Sequence, residues 1–494
     1  MPQTTHSDEW TLRRVVIVLT LVASQIASIA TIILGPQSLP VIDREFDTNQ
    51  GSWFVTSELL ASAVLCPLFA RLSDLYGKRR LAAIALLSGG LGSLLVAVAP
   101  TFSLLLVGRA MQGTLIVCCV LGAAIVRESF PAKIAPVAVG LAVTGAGLPG
   151  SLVPFVTGPL MDSHGYRGVF LALAVVVAVA AVVLILVVPE SPVAKEGSVD
   201  FVGAFLLGSA VASLLAGVSL GATVGWTSPL VVVLIVVGVC LGVGWILSAT
   251  KNSDPLIDIR ILADRRVANR MVAGGLIAGT GTLFLVVSAL VAESGSENGF
   301  GFGLNATQYA FVQCLFFFGF FVGGVVPVRA VRRYSFGLVQ SILIVVLLIS
   351  SAALLLAVGS LPLFGAIHLS AGLAVGGFFA TMINFLLSEA ARDRQASTAA
   401  LYMTVATMMQ SVFATVPISL SNGLFPGFEG SFGLDGIRFM SVFAIATVLA
   451  AGLCTVAARR ATIRDVIDPL KKVHSGATDS EDAVLLRDSP VDYL

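Results

Sequence analysis

Apolar residues run along this chain in long blocks separated by short polar turns, a spacing that predicts helices rather than strands. A bilayer core is crossed by about 20 apolar residues of helix. Runs of that length begin near residues 14, 52, 81, 103, 134, 168, 201, 229, 268, 306, 336, 361, 397 and 438, which predicts about fourteen membrane spans. An even count returns both ends of the chain to one face. The basic residues test that count, because Lys and Arg beside a span are retained on the cytoplasmic side. With the first turn inside, alternate turns collect Lys78, Arg79 and Arg80, then Arg127 and Lys133, then Lys195, then Lys251, Arg260, Arg265, Arg266 and Arg270. Further on they collect Arg329, Arg332 and Arg333, then Arg392 and Arg394, then Arg459 and Arg460. The opposite turns hold only Arg44, Arg167 and Arg438. One span more or fewer scrambles this separation.

Composition turns that pattern into a class. With 494 residues, 57% hydrophobic and 12% charged, the chain has too much apolar surface for a soluble core, and an all-α polytopic membrane protein is expected. A net charge of +1 says little when the charges are so segregated, and no nucleic-acid partner is implied. Cys66, Cys118, Cys119, Cys240, Cys314 and Cys454 all lie in apolar runs without metal-ligand spacing. They are expected to be free thiols, with no metal site and no cofactor. The first run follows a short polar leader with Arg13 and Arg14. It is too long for a signal-peptide core and no small-residue cleavage site closes it, so it is expected to remain as a span.

The layout divides into a cytoplasmic leader (1–13), a six-helix bundle (14–190), a linker holding two extra spans (191–267), a second six-helix bundle (268–460) and an acidic cytoplasmic tail (461–494). The tail is expected to be disordered, with at most a short surface helix before Pro469. The loops near 292–305 and 421–436 are rich in Gly, Ser and Asn, and Asn305-Ala306-Thr307 matches a glycosylation sequon that chance often supplies. Gly145-Ala-Gly147-Leu-Pro-Gly150 and Gly217-Val-Ser219-Leu-Gly221 match a dinucleotide loop and a nucleophile elbow. Both fall inside spans, where small residues serve close helix packing. No nucleophile and base come together, and an enzyme is not expected.

Charge inside the spans is the candidate chemistry. Arg109 in the fourth span costs roughly 2.5–3.5 kcal/mol to insert and needs a partner or a wet cavity. Glu58 in the second span enters from the same side and lies at a similar depth, so the two are expected to meet, as a proton-coupling pair or as a structural one. His368 in the twelfth span has the titration range of a proton relay, though a hydrogen-bonded packing role fits it equally. Ser24, Gln25, Ser28 and Thr31 form a polar stripe on the first span that can line a cavity or bond neighbouring helices. Tyr402, Thr404 and Gln410 in the thirteenth span, with Phe316 to Phe318, Phe320 and Phe321 in the tenth, are further lining candidates.

Several of these residues fall into one known pattern. Arg71-Leu-Ser-Asp-Leu-Tyr-Gly-Lys-Arg-Arg80 resembles the first signature of the major facilitator superfamily, G-x-L-a-D-r-x-G-r-k. Leu72, Asp74, Gly77, Lys78 and Arg79 are in place, and Ala70 and Leu75 depart from it. Arg109, Gln112 and Gly113 resemble the family's R-x-x-q-G. Gly150, Pro154 and Gly158 resemble its antiporter signature in the fifth span, with Val153 and Thr157 where glycines are usual. Gly165 to Phe170 resembles its aromatic-Arg turn. Ser38 to Ile42 resembles the end of the first-span signature of the drug:proton branch, with Thr31 in the aspartate position. Val328 to Ser335 sits where the second bundle should repeat the opening signature, with Arg332 in the aspartate position and Ser335 in the glycine position.

The pair at about 201–249 resembles the extra pair of the fourteen-span drug:proton antiporters. So do the surrounding Asp200, Gly203, Gly217, Gly225 to Pro229 and Asp254 to Asp258.

The resemblance implies the major facilitator fold, two six-helix bundles of inverted repeats around a central cavity plus the inserted pair. It implies a secondary transporter that exports a small lipophilic molecule by alternating access in exchange for protons, as multidrug efflux antiporters do. In those terms Glu58, Arg109 and His368 carry proton coupling. Leu72, Asp74, Gly77, Lys78 and Arg79 form a cytoplasmic gate, and Gln25, Ser28, Thr31, Gln112, Tyr402 and Gln410 line the substrate cavity. A monomer in the plasma (cell inner) membrane with both termini cytoplasmic is expected. The missing first-span acid keeps open an uncoupled facilitator or a carrier of an endogenous lipid or metabolite. More distant alternatives are an intramembrane enzyme or a sensor.

Overall fold

The computed structural model describes residues 11–48, 50–131, 134, 138, 147–190, 199–252, 255, 259–295, 301–331, 333–355, 360–389, 395–424 and 434–474. Lys133, Gly145, Lys195, Asp254, Leu256 to Asp258, Arg332, Arg392, Arg394, the centres of both glycine-rich loops and the tail beyond His474 lie outside the described residues.

The first part of the chain forms α1 (Leu12–Glu45), α2 (Ser52–Tyr76), α3 (Lys78–Val98), α4 (Phe102–Gln112), α5 (Ile116–Ser129), α6 (Gly147–Ser151) and α7 (Val153–Val187). The inserted pair is α8 (Phe201–Val224) and α9 (Pro229–Lys251). The last part comprises α10 (Arg265–Glu293), α11 (Ala306–Ala330), α12 (Phe336–Leu354), α13 (Leu361–Glu389), α14 (Gln395–Leu424) and α15 (Leu434–His474).

Twelve helices among the described residues are long and apolar enough to cross a membrane. The difference from the expected count has two local causes. The 41-residue stretch Gly147–Val187 contains Gly165 at φ 64°, ψ 179°, a conformation open to glycine, so two spans meet there at a sharp bend without a loop. A 3₁₀ turn at Gly113–Leu115 separates α4 from α5, and the two together make one further span. Polar caps set several starts: Thr101 accepts from Leu104 N, Asp200 from Gly203 N, Asp264 from Arg266 N and Ser335 from Leu338 N. Each satisfies a backbone donor that a helix start leaves free.

Contacts between helix ends sort them onto two faces. On one face Arg13 Nε donates to Val187 O at 3.1 Å and Arg79 Nε to Glu190 Oε2 at 3.1 Å, bringing together the starts of α1 and α3 and the end of α7. We call this the basic face. On the opposite face Arg167 donates to Glu45 Oε1 at 2.6 Å and to the carbonyls of Ala97 (3.2 Å) and Ala99 (2.9 Å). That gathers the ends of α1 and α3 at the bend in α7.

Buried apolar side chains form two cores. One draws almost wholly on α1 to α7, from Ile17 to Val188, and the other mainly on α10 to α15, with Leu39, Val55 and Leu59 reaching into it from the first bundle. The bundles meet where α7 packs on α11 and α2 on α14. Helix α8 lies against both α2 and α14, whereas α9 packs chiefly on α8. Only Val231, Gly238 and Ala249 of α9 are buried, and such an apolar outward surface suits lipid rather than water. Helix α15 continues to His474, past the expected boundary near 460 and beyond Pro469. Charge in that stretch takes the chain out of an apolar phase without stopping a helix.

Candidate functional site

The two charges expected to meet do so. Arg109, about two turns into α4, is fully buried, and its Nη2 donates to Glu58 Oε2 on α2. The rest of the guanidinium is also engaged. Its Nε donates to Phe54 O at 2.9 Å, Nη1 to Gln112 Oε1 at 2.6 Å, and both Nη1 and Nη2 to Thr31 O at 3.3 Å. An arginine has five N–H donors, and each has an acceptor here, drawn from α1, α2 and α4. The rings of Phe54 and Phe170 lie 4.4 and 5.8 Å from the guanidinium carbon, and cation–π attraction adds to the fit. Gly35 makes room for it, because a Cβ there would stand 2.9 Å from Arg109 Nη2.

This network absorbs two residues that sequence assigned to the cavity. Gln112 accepts from Arg109 and donates through Nε2 to Ser93 Oγ at 2.7 Å, so both ends of its amide are committed. Thr31 contributes its carbonyl to Arg109, and its hydroxyl donates back to Ser28 O at 2.8 Å. Thr31, in the aspartate position of the resembled signature, therefore stands within the same cluster as Glu58. Ser93 was missed by the sequence reading, since a lone serine among glycines in an apolar helix carries no signal of its partner.

On the basic face, the turn after α2 bends at Gly77, whose φ of 97° places it in glycine's region. Arg79 then donates to Glu190 and to Val188 O at 3.2 Å, and Arg80 Nε lies 3.5 Å from the same carboxylate. A Cβ on Gly77 would come within 2.5 Å of Glu190 Oε1. Leu72, Asp74 and Lys78 are half-buried beside this turn. Glu190 was not among the expected residues. Its signal was its place, an acid following Pro189 at the end of a span on a face otherwise rich in arginine.

The remaining candidates divide between the bundles. Gln25 and Ser28 are buried in α1. Gly150 faces Ile29, and Gly158 lies against Ala306 O and Ala310, which draws α7 onto α11. Pro154 sits in the first turn of α7, after the break at Leu152. His368 is buried in α13. Its Nδ1 donates to Phe364 O at 2.7 Å, since a carbonyl can only accept, and its Nε2 has no hydrogen-bond partner among the described residues. The rings of Phe284 and Phe364 flank it. Tyr402 is buried against Phe379 with its hydroxyl unpartnered among the described residues, and Gln410 is half-buried. Neither His368 nor Tyr402 takes part in the Arg109 network.

Two bundles, a seam between them and a charged pair inside one of them thus define a helical membrane protein. A family model described as Major Facilitator Superfamily matches residues 17–203, a likeness that runs through the first bundle to the start of α8. Multidrug resistance protein Stp of Mycobacterium tuberculosis is 31% identical over 238 residues, covering 47% of this chain and 44% of that protein. The Probable actinorhodin transporter of Streptomyces coelicolor is 28% identical over 402 residues, 77% of this chain and 66% of that one. The chain spans about half the length of the first curated relatives it matches. Among solved structures, a bacterial homolog of the human lysosomal transporter Spinster, inward-facing and unoccupied, matches with TM-score 0.65 at 14% identity. That match covers 92% of this chain and 99% of that one, a likeness of fold.

Proposed function

We propose that this protein is a secondary active transporter that exports a small lipophilic molecule across the bacterial inner membrane in exchange for protons, with both termini and the basic face in the cytoplasm. The two bundles rock about a site near the midplane, and no covalent bond is made or broken. The observation that carries the coupling is the buried Glu58–Arg109 pair, the place in the first bundle where a carboxylate is held away from water beside a cation. With the pair together Glu58 is ionised; motion that separates it from Arg109 favours protonation, and the proton travels with the conformational change. The relatives named for multidrug resistance and for actinorhodin support an apolar cargo, as do the half-buried Phe317, Phe320 and Phe321 of α11, while Phe316 is buried in the core and Phe318 is exposed. Apolar contact with a few polar groups is the usual composition of such a site.

A second reading is an uncoupled facilitator in which the pair is structural. It is favoured by the saturation of all five Arg109 donors, which makes the pair a brace between three helices.

Purified protein in liposomes distinguishes the two readings. Lipophilic cations or neutral drugs should accumulate against their gradient when a pH difference is imposed, and strict selectivity for a sugar or dicarboxylate would end the proposed cargo class. A separate expectation concerns the basic face. Asp74 stands in the last turn of α2, where a carboxylate can serve a neighbouring helix start or the arginines of the seam. Asp74→Asn should lower transport at unchanged protein level, measured by uptake normalised to membrane content. Undiminished transport removes Asp74 from the gate.

A further inference from the structure

One carboxylate crosses from the first bundle to the second on the face opposite the basic one. Asp162 on α7 accepts from the backbone N–H of Ala306 (Oδ1, 2.9 Å) and of Thr307 (Oδ2, 2.9 Å), and from the Thr307 hydroxyl. These are the first two residues of α11. A helix start leaves four N–H groups without intrahelical acceptors and carries partial positive charge. The third is capped from within, since Asn305 Oδ1 accepts from Gln308 N at 2.8 Å and Gln308 Oε1 accepts from Asn305 N at 3.1 Å. The first two have been given to the other bundle. The sequon Asn305-Ala306-Thr307 is therefore the cap and docking point of α11.

The same face of α7 continues the contact inward, one and two turns from Asp162. Gly158 lies so close to α11 that a Cβ would come 2.9 Å from Ala306 O and 3.0 Å from Ala310 Cβ. Phe155 meets Phe311 edge to face at 4.9 Å. Gln313 Nε2 on α11 also reaches Ile33 O on α1 at 3.5 Å, and within the first bundle Thr157 ties α7 to α1 by donating to Gln37 Oε1 at 3.2 Å. Within the seam Ala310, Gln313 and Cys314 are buried, whereas Asp162 itself is exposed at its rim. Water can therefore take over its bonds when they break.

We propose that Asp162 is the latch of the outer gate: docked on the α11 N-terminus it holds the bundles closed toward the outside, and its release is required for the outward-open state. The outer placement rests on the orientation proposed above. A residue of the seam serves as reporter. Cys314 on α11, 7% exposed, is buried beside the backbone of Phe155, roughly 12 Å along the helix from Ala306. In sealed right-side-out vesicles, a membrane-impermeant maleimide should label it slowly, with Cys314→Ser giving the background. Asp162→Ala should speed this labelling on the order of five- to ten-fold, the scale of a lost charge-assisted cap. Ala306→Pro offers a second route that leaves Asp162 in place. Proline is tolerated at the first helical position, Asn305 before it is already extended (φ −77°, ψ 170°), and the N–H that Asp162 Oδ1 accepts is gone. Faster labelling in either variant, at parental melting behaviour, supports the latch. Parental labelling rates in both overturn it. The assay uses no cargo, so a failure to transport lipophilic molecules would refute the functional reading while leaving the latch result to stand or fall alone.

Discussion

Arg109→Ala is expected to cost the purified protein about 3–5 kcal/mol of stability, the usual result of leaving a buried charge uncompensated, and to abolish transport. The substitution removes five N–H donors at once. Glu58 is left without its cation in a space where its side chain is 5% exposed, so it must carry an unpaired buried charge or take up a proton, and the carbonyls of Thr31 and Phe54 and the amide oxygen of Gln112 lose their bonds to this side chain. Lysine does not repair the site, because a single ammonium has three donors and no planar fork to span three helices. Changing both members, Glu58→Gln with Arg109→Gln, removes the charges together and should recover part of the loss. Thermal unfolding in detergent of the parent, the two single variants and the double variant measures this coupling. An unchanged midpoint in Arg109→Ala would mean that the network does not hold α1, α2 and α4 together.

Glu58→Gln should have a large effect on coupling and a smaller one on stability. Glutamine is nearly the same size and keeps an acceptor for Arg109 Nη2, while Phe54, Thr31 and Gln112 still bind the rest of the guanidinium. What is lost is the group that can gain and release a proton. Accumulation driven by a pH gradient should fall to the ungated background, and exchange of labelled for unlabelled cargo without a gradient should persist. If accumulation stays at the parental level, the pair is a brace, and His368 becomes the next position to substitute.

How much of this was written in the sequence depends on the range of the interactions. Span length and arginine placement are local or nearly so, and they gave the two faces and about the right number of crossings. The meeting of Glu58 and Arg109 was also legible, because a charge in an apolar helix demands a partner and equal depth narrows the choice to one. Gln112 was placed in the right helix, but its bonds to Arg109 and Ser93 were not foreseen: an amide reads the same whether it faces a cavity or an arginine one turn away. Glu190 carried a signal in its place beside the arginines, but neither its destination nor that of Asp162 was legible. Each lies more than a hundred residues from what it binds, and nothing in either local sequence names a turn or a helix start as its destination.

The seating of α8 has a mechanical consequence. It touches α2 through Trp53 Nε1 and Ser219 Oγ at 3.2 Å and through Val64 beside Gly208, and it also packs on α14. It thus straddles the line along which the bundles part. If the bundles tilt as proposed, α8 cannot keep both attachments, and with α9 packed on it it would ride with one bundle and slide along the other. On the alternating-access reading proposed above, the inserted pair would act as a bearing surface between the bundles, and Ser219→Ala, which loosens one attachment, is expected to change the turnover rate measured in liposomes without changing which cargo is carried.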